Sequence, residues 1–437
     1  MLVFTAVVVL DSSIIDFSSY SGVEASISMN TMIFIIFSLI FVASSTALLV
    51  SARKSIHALK SRSPSLSYSH WIISGTQIST VIIILTIIFQ MLFLNQYNLD
   101  LLKIQTYLSH LSALIFLSLL VFLFGRWFIS KKSNRIILYT ISLSLAALNL
   151  VVALIYNESY LFAPFSIIKP YSIDQYVGSF SGGTINASFA GGTETLSTLY
   201  DVLSLSSFLL MWVATAILLS QYRYKMGRIK YFSLMSLPLV YYIFPFQNYF
   251  GDSIFSLLQS SPVFFSALYI LIFSASKQVG ALLFGLVFWT ASSLVHDERI
   301  RKSLLISSIG MVILFGSVQI KSLQYHVYPP FGLVTEAFIP LGTYLLFVGI
   351  FISARHISRE AEVRKEFYNS ASSQLTLLKT IGVSQMEKEL ESQVKFVEKR
   401  FKPLETTEEP ELEDTDIKEI LHDVLTELYY TRGKKHL

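Results

Sequence analysis

Apolar runs of about 20 residues alternate with short islands of charge along this chain, and that spacing constrains the fold more than any motif does. The runs are 31–50, 71–94, 106–125, 136–156, 203–221, 231–247, 303–320 and 332–353, with a longer apolar stretch from 254 to 295. About 20 helical residues rise roughly 30 Å, the thickness of a bilayer's hydrocarbon core. Composition agrees, because 53% of the residues are hydrophobic and only 14% charged, against about 25% charged in soluble domains. The expected fold is all-α: a polytopic transmembrane bundle with about nine crossings plus a re-entrant or broken element, followed by a cytoplasmic helical, coiled-coil tail. The first partner implied is therefore the lipid bilayer.

Charge is concentrated at the C-terminal end. Residues 354–437 hold fourteen of the 33 Lys and Arg and seventeen of the 29 Asp and Glu. This divides the chain into an N-terminal segment (1–30), a transmembrane domain (31–353), a helical pair (354–403), an acidic linker (404–416) and a terminal helix (417–437). Met1–Leu10 is apolar but lacks a basic start and a small-residue cleavage site, so a cleaved signal peptide is not expected.

Basic residues set the expected orientation. Arg53, Lys54, Lys60 and Arg62 follow the first run; Arg126, Lys131, Lys132 and Arg135 the third; Arg223, Lys225, Arg228 and Lys230 the fifth. Arg299, Arg301 and Lys302 form a weaker fourth island. The positive-inside rule makes these loops cytoplasmic, which puts the N-terminus outside and the C-terminus inside a plasma membrane. Acids such as Asp100, Glu158, Asp174, Glu194 and Asp201 fall in the opposite loops. Two glycosylation sequons, at Asn157 and Asn186, share the long outside loop expected over 157–200. Its glycines and aromatics suit a lid over a cleft or a flap resting on headgroups.

Lys230 and Arg299 both read as cytoplasmic, which demands an even number of crossings between them, yet the apolar sequence there divides most naturally into three segments. One segment is then re-entrant or broken. The candidates are 231–250, interrupted by Pro238 and Pro245, and Ser274–Gly280, which contains Lys277. Irregular backbone at membrane depth survives only where protein or a wet cavity satisfies it, so a broken helix points to a binding site. Lys277, Gly280, Pro238 and Pro245 are the candidate residues, with Glu336 as a conceivable counter-ion to a buried Lys277. The alternative is a mere kink at Pro238, with Lys277 in an outside turn or snorkelling to the headgroups.

In the tail, Gly382 offers a helix stop, and Ser384 with Glu387 three residues later makes a capping box, so a second helix is expected near Gln385. Ile417, Ile420, Leu421, Val424, Leu425 and Leu428 share one face of the terminal helix. Such a helix beyond a flexible linker has no core of its own, and docks on a cytoplasmic protein partner, on a second copy of the chain, or back on the tail.

Catalytic chemistry is hard to place. The chain has no cysteine, which removes disulfides and thiolate chemistry. It has no phosphate loop, nucleophile elbow or zinc His-Glu-x-x-His pair, and the eight histidines show no metal-ligand spacing. Tyr200-Asp201 and Gly251-Asp252 resemble the paired aspartates of intramembrane aspartyl proteases, but Tyr249 stands where that family's motif has its first glycine. No enzyme activity, cofactor or metal is expected, and a net charge of +4 gives no case for nucleic acid.

In layout the chain resembles the membrane sensor regions of multi-span histidine kinases, although neither His356 nor His422 has the phosphoacceptor context. The stretch Phe273–Lys277 with Gly280, Leu283, Phe284, Gly285, Phe288 and Trp289, together with Glu362–Glu389, resembles uncharacterised multi-span membrane proteins of archaea. That resemblance implies no activity. The expected function is a receptor-like or scaffold protein that recruits a cytoplasmic partner through its C-terminal helices; the alternative is a transporter or channel with a discontinuous helix at its site.

Overall fold

The computed structural model describes residues 27–58, 64–161, 167–168, 190–220, 223–224, 227–239, 262–318, 329–360 and 373–401. Its helices are α1 (Ile27–Ala58), α2 (Pro64–Leu94), α3 (Leu99–Ser130), α4 (Asn134–Leu161), α5 (Ala190–Leu219), α6 (Arg228–Ser236), α7 (Pro262–Ser293), α8 (Glu298–Ser317), α9 (Leu333–Ala337), α10 (Ile339–Arg359) and α11 (Ser373–Phe401). Two-residue strands, β1 (Tyr97–Asn98) and β2 (Ile167–Ile168), pair antiparallel. Contacts divide the chain into two units, Met1–Met386 and Glu387–Leu437. In the second, Lys395 and Glu391 pair at 3.2 Å across one helical turn.

Among the described residues seven helical segments are long and apolar enough to cross a membrane: Met29–Ile56, Leu66–Leu94, Leu99–Ser130, Asn134–Glu158, Thr198–Leu219, Glu298–Ser317 and Leu333–Arg359. Their outward faces are what lipid requires. Met32, Ile36 and Leu39 on α1, Ile78, Ile82, Leu85 and Phe89 on α2, and Leu111, Ile115, Leu119 and Phe122 on α3 are exposed at three-to-four-residue spacing. The chain is thus a multi-pass membrane protein whose outer helices touch lipid. Burial rises toward the C-terminal end of the bundle: 28% of the apolar stretch of the first span is buried, against 94% for Leu333–Arg359.

That burial is possible because α7, α8 and α10 meet at small residues, which let helix backbones approach in a medium that offers no hydrophobic driving force between helices. A Cβ on Gly310 would meet the backbone of Leu346 and come within 2.9 Å of the Gly342 carbonyl. Gly342 faces Ile313 and Leu314, and Gly349 faces Ser303 and Ser307. Hydroxyls seal the seam: Ser308 donates to the Gly285 carbonyl at 2.7 Å, and Ser303 and Ser353 share a 2.7 Å bond.

Helix ends follow elementary rules. The Asp297 side chain accepts from the amides of Arg299 and Ile300, both at 2.9 Å, and so starts α8. Asp297→Ala should lower stability by about 1 kcal/mol, read as a small drop in unfolding temperature in detergent; an unchanged transition would remove the cap's role. Pro238 lacks an amide hydrogen and crowds the preceding turn. Accordingly α6 stops at Ser236 and the chain turns as a 3-10 helix over Leu237–Leu239.

Several expectations change. The run 254–295 contains one continuous 32-residue helix from Pro262, so Ser274–Gly280 is helical rather than broken. The helical hydrogen-bond ladder is also interrupted where no interruption was expected, at Phe338 between α9 and α10, although Phe338 keeps right-handed helical angles, φ −80° and ψ −19°. The loop expected over 157–200 is narrower, because α4 continues to Leu161 and α5 starts at Ala190. In the tail, Gly382 does not stop a helix, since α11 runs through it from Ser373 to Phe401. Gly382 is where α11 lies flush on Ile357 of α10, with no room for a Cβ. Ser384 donates to the Trp127 carbonyl at 3.3 Å instead of capping. Nor does a helix run on from the last span, because α10 ends at Arg359 and Glu360 is extended.

Candidate functional site

Polar residues concentrate on one face of α3. Asn98 caps this helix by accepting from the Asp100 amide at 2.8 Å, and about two to three turns further in lie Gln105, Thr106, Ser109 and His110, all buried. Gln105 donates to Ser109 at 2.8 Å and to Thr80 of α2 at 3.2 Å. Polar groups in lipid must find partners within the protein, and the Gln105 amide nitrogen does so both within α3 and across to α2.

Glu336 arrives from the other side. The turn at Pro329–Gly332 closes with the Phe331 amide on the Pro329 carbonyl at 2.8 Å. Gly332 takes φ 90°, a left-handed conformation that costs glycine little, and so starts α9. Five residues later α9 ends, and α10 begins with Pro340 in its first turn, where a missing amide hydrogen costs nothing. The last span is therefore a short half and a long half, with Glu336 on the short one.

There the Glu336 carboxylate lies 3.1 Å from His110 Nδ1, with the two side chains 7% and 5% exposed. The same ring nitrogen lies 2.9 Å from the Thr106 carbonyl. A carbonyl only accepts, so Nδ1 carries a hydrogen and donates to Thr106. Glu336 Oε1 is left close to the ring but without a well-aligned hydrogen bond.

Beside this pair is a cavity of about 20 Å³, bounded by His110 and Glu336, by Asn149, Ala153 and Asn157 of α4, by Tyr200 of α5, and by Ser317 and Val318 at the end of α8. Tyr200 braces the wall by donating to the Val318 carbonyl at 2.8 Å. Among the described residues, Asn149 Oδ1 and Nδ2, Asn157 Oδ1 and Ser317 Oγ are buried with no hydrogen-bond partner. Buried polar groups are normally satisfied, so four orphan atoms around one cavity mark a place where something polar binds. Roughly 10–15 Å³ suffices for one water-sized occupant.

The residues singled out from sequence are scattered by this arrangement. Glu336 is buried, and its neighbour is His110. Lys277 lies within α7, and its side chain is outside the described residues. Gly280 and Pro238 are brought together, since a Cβ on Gly280 would sit 3.3 Å from Pro238 and strike the ring of Phe208. That contact packs α7 against the 3-10 turn. Asn157 is an interior residue of α4, 3% exposed, and not the exposed loop acceptor that a sequon needs. Pro245, Asn186 and the face formed by Ile417, Ile420, Leu421, Val424, Leu425 and Leu428 lie outside the described residues. Sequence reasoning missed His110, Asn149 and Ser317. The available signal was Asn149, Ala153 and Asn157 at four-residue spacing, two amides on one face of an otherwise apolar helix. No family model, curated protein or solved structure matches the chain.

Proposed function

We propose that the chain is a non-enzymatic, receptor-like membrane protein that passes a state of its bundle to a cytoplasmic partner through its C-terminal segment. The observation that carries this reading is how α11 starts. Leu377, Leu378 and Ile381 are buried in the same core as the transmembrane helices. Gln385 accepts from Trp127 Nε1 at 3.1 Å, and Gly382 lies on Ile357. The beginning of the tail thus touches the last turns of both α3 and α10, so a shift of either helix reaches it directly. Transport by itself needs no such contact.

Orientation in this reading follows the basic loops, with the N-terminus outside the plasma membrane. Trp127 and Ile357 lie beside Arg126, Lys131, Arg355 and Arg359, which supports a cytoplasmic position for that end. The test is deletion of 416–437, which should abolish co-purification of the cytoplasmic partner; an unchanged partner list would overturn the reading. Arg299→Cys in this cysteine-free chain should react with an impermeant maleimide only in inside-out vesicles, and labelling of intact cells would reverse the orientation.

A transporter or channel is the second reading, favoured by the division of the last span at Phe338 with a buried carboxylate on its short half. It requires solute or ion flux in proteoliposomes that is lost in Glu336→Gln.

A further inference from the structure

We infer that the cavity between α3, α4, α8 and α9 is a binding site for a small monovalent cation of sodium's size. The donor set argues for it. Glu336 Oε1, Asn149 Oδ1, Asn157 Oδ1 and Ser317 Oγ are buried oxygens without hydrogen-bond partners among the described residues. All four residues line one cavity of about 20 Å³. Oxygen donors suit hard cations rather than transition metals, which prefer nitrogen and sulfur.

Charge sets the valence. His110 directs its Nδ1 hydrogen to the Thr106 carbonyl at 2.9 Å, so the Glu336 carboxylate, although 3.1 Å from that nitrogen, receives no hydrogen bond from it. One bound monovalent cation cancels that single charge, whereas a divalent ion would leave a net charge buried among apolar helices. Magnesium additionally resists losing its waters. The carboxylate then separates the alkali ions, because a charged, high-field oxygen attracts the smaller sodium ion more strongly than potassium. Asn149 Nδ2 sits in the same cavity and would face a water completing the ion's shell. The site also lies beside the interruption between α9 and α10.

This inference stands apart from the partner-recruiting reading, because ion binding is measured on the purified full chain with no partner and no flux. The experiment follows thermal unfolding in detergent while sodium chloride replaces choline chloride at constant ionic strength, with potassium chloride in parallel. The parent should show a saturable rise of several degrees in sodium and little in potassium. Glu336→Gln and Ser317→Ala should each weaken the half-saturating concentration at least tenfold, while Gly75→Ala, remote from any side chain, should respond like the parent. Should Glu336→Gln fail to fold, Ser317→Ala decides. Equal unfolding of the parent in sodium and choline would overturn the inference and leave the cavity to water. An undiminished sodium response in both site variants would overturn it as well, placing the ion elsewhere.

Discussion

Gly310→Val should destroy the bundle, leaving no monodisperse protein after detergent extraction, whereas Gly75→Ala or Gly125→Ala should leave yield and unfolding temperature unchanged or slightly raised. All three glycines are helical, and helix propensity alone favours replacement by up to about 1 kcal/mol. The difference is in what stands opposite. Nothing lies within 4 Å of a Cβ on Gly75 or Gly125. On Gly310 the new carbon meets backbone atoms of Leu345 and Leu346, which no side-chain rotation can move. Overpacking usually costs about 1–3 kcal/mol when side chains yield. Here α8 and α10 must separate, which also breaks the Ser303–Ser353 bond and opens the most buried part of the protein. Size-exclusion profiles of the three variants check this, and a well-folded Gly310→Val would mean that the two helices do not meet as described.

The second large effect belongs to His110. His110→Leu removes the side-chain donor to the Thr106 carbonyl and leaves the buried Glu336 carboxylate facing an apolar group, and a buried polar group left unsatisfied costs about 1–3 kcal/mol, more when charged. Replacing both, as His110→Leu with Glu336→Leu, should recover most of that loss, since an apolar pair of similar volume needs neither desolvation nor partners. A double-mutant cycle on unfolding temperature, followed by tryptophan fluorescence, would show the coupling as a departure from additivity. Additive losses would mean that the two side chains, though 3.1 Å apart, do not depend on each other. The same double variant should abolish any sodium response, because the charged donor is gone.

The two predictions draw on information of different kinds. Membrane spanning was legible in one sequence because it depends on run length and on the near absence of charge, both local properties. Four of the apolar runs, for example 106–125 within α3, lie inside α1–α4, and the fifth, 203–221, overruns the end of α5 at Leu219 by two residues. The basic residues Lys131 and Lys132 likewise marked where α3 stops. The break expected over Ser274–Gly280 is absent. Proline and lysine in the 231–295 stretch signalled irregular backbone, yet Pro238 ends a short helix at a packing contact, and the chain around Lys277 remains helical. The division at Phe338 gave only a weak signal. It comes from Pro340 near the start of a helix, a position that a continuous span tolerates almost as well.

The cavity itself could not be read from local pattern. His110, Asn149, Ser317 and Glu336 come from four helices separated by as many as 226 residues of chain, here counted from His110 to Glu336. Each alone is an ordinary polar interruption of an apolar run. What the amino-acid order determined by itself was that this chain enters lipid many times, because transfer energies and helix length act residue by residue. What only the tertiary structure decided was which polar interruptions face one another. In a membrane no hydrophobic force dictates which helices become neighbours, so the close approach of small residues such as Gly310, Gly342 and Gly349 selected the central post and, with it, the place where Glu336 meets His110.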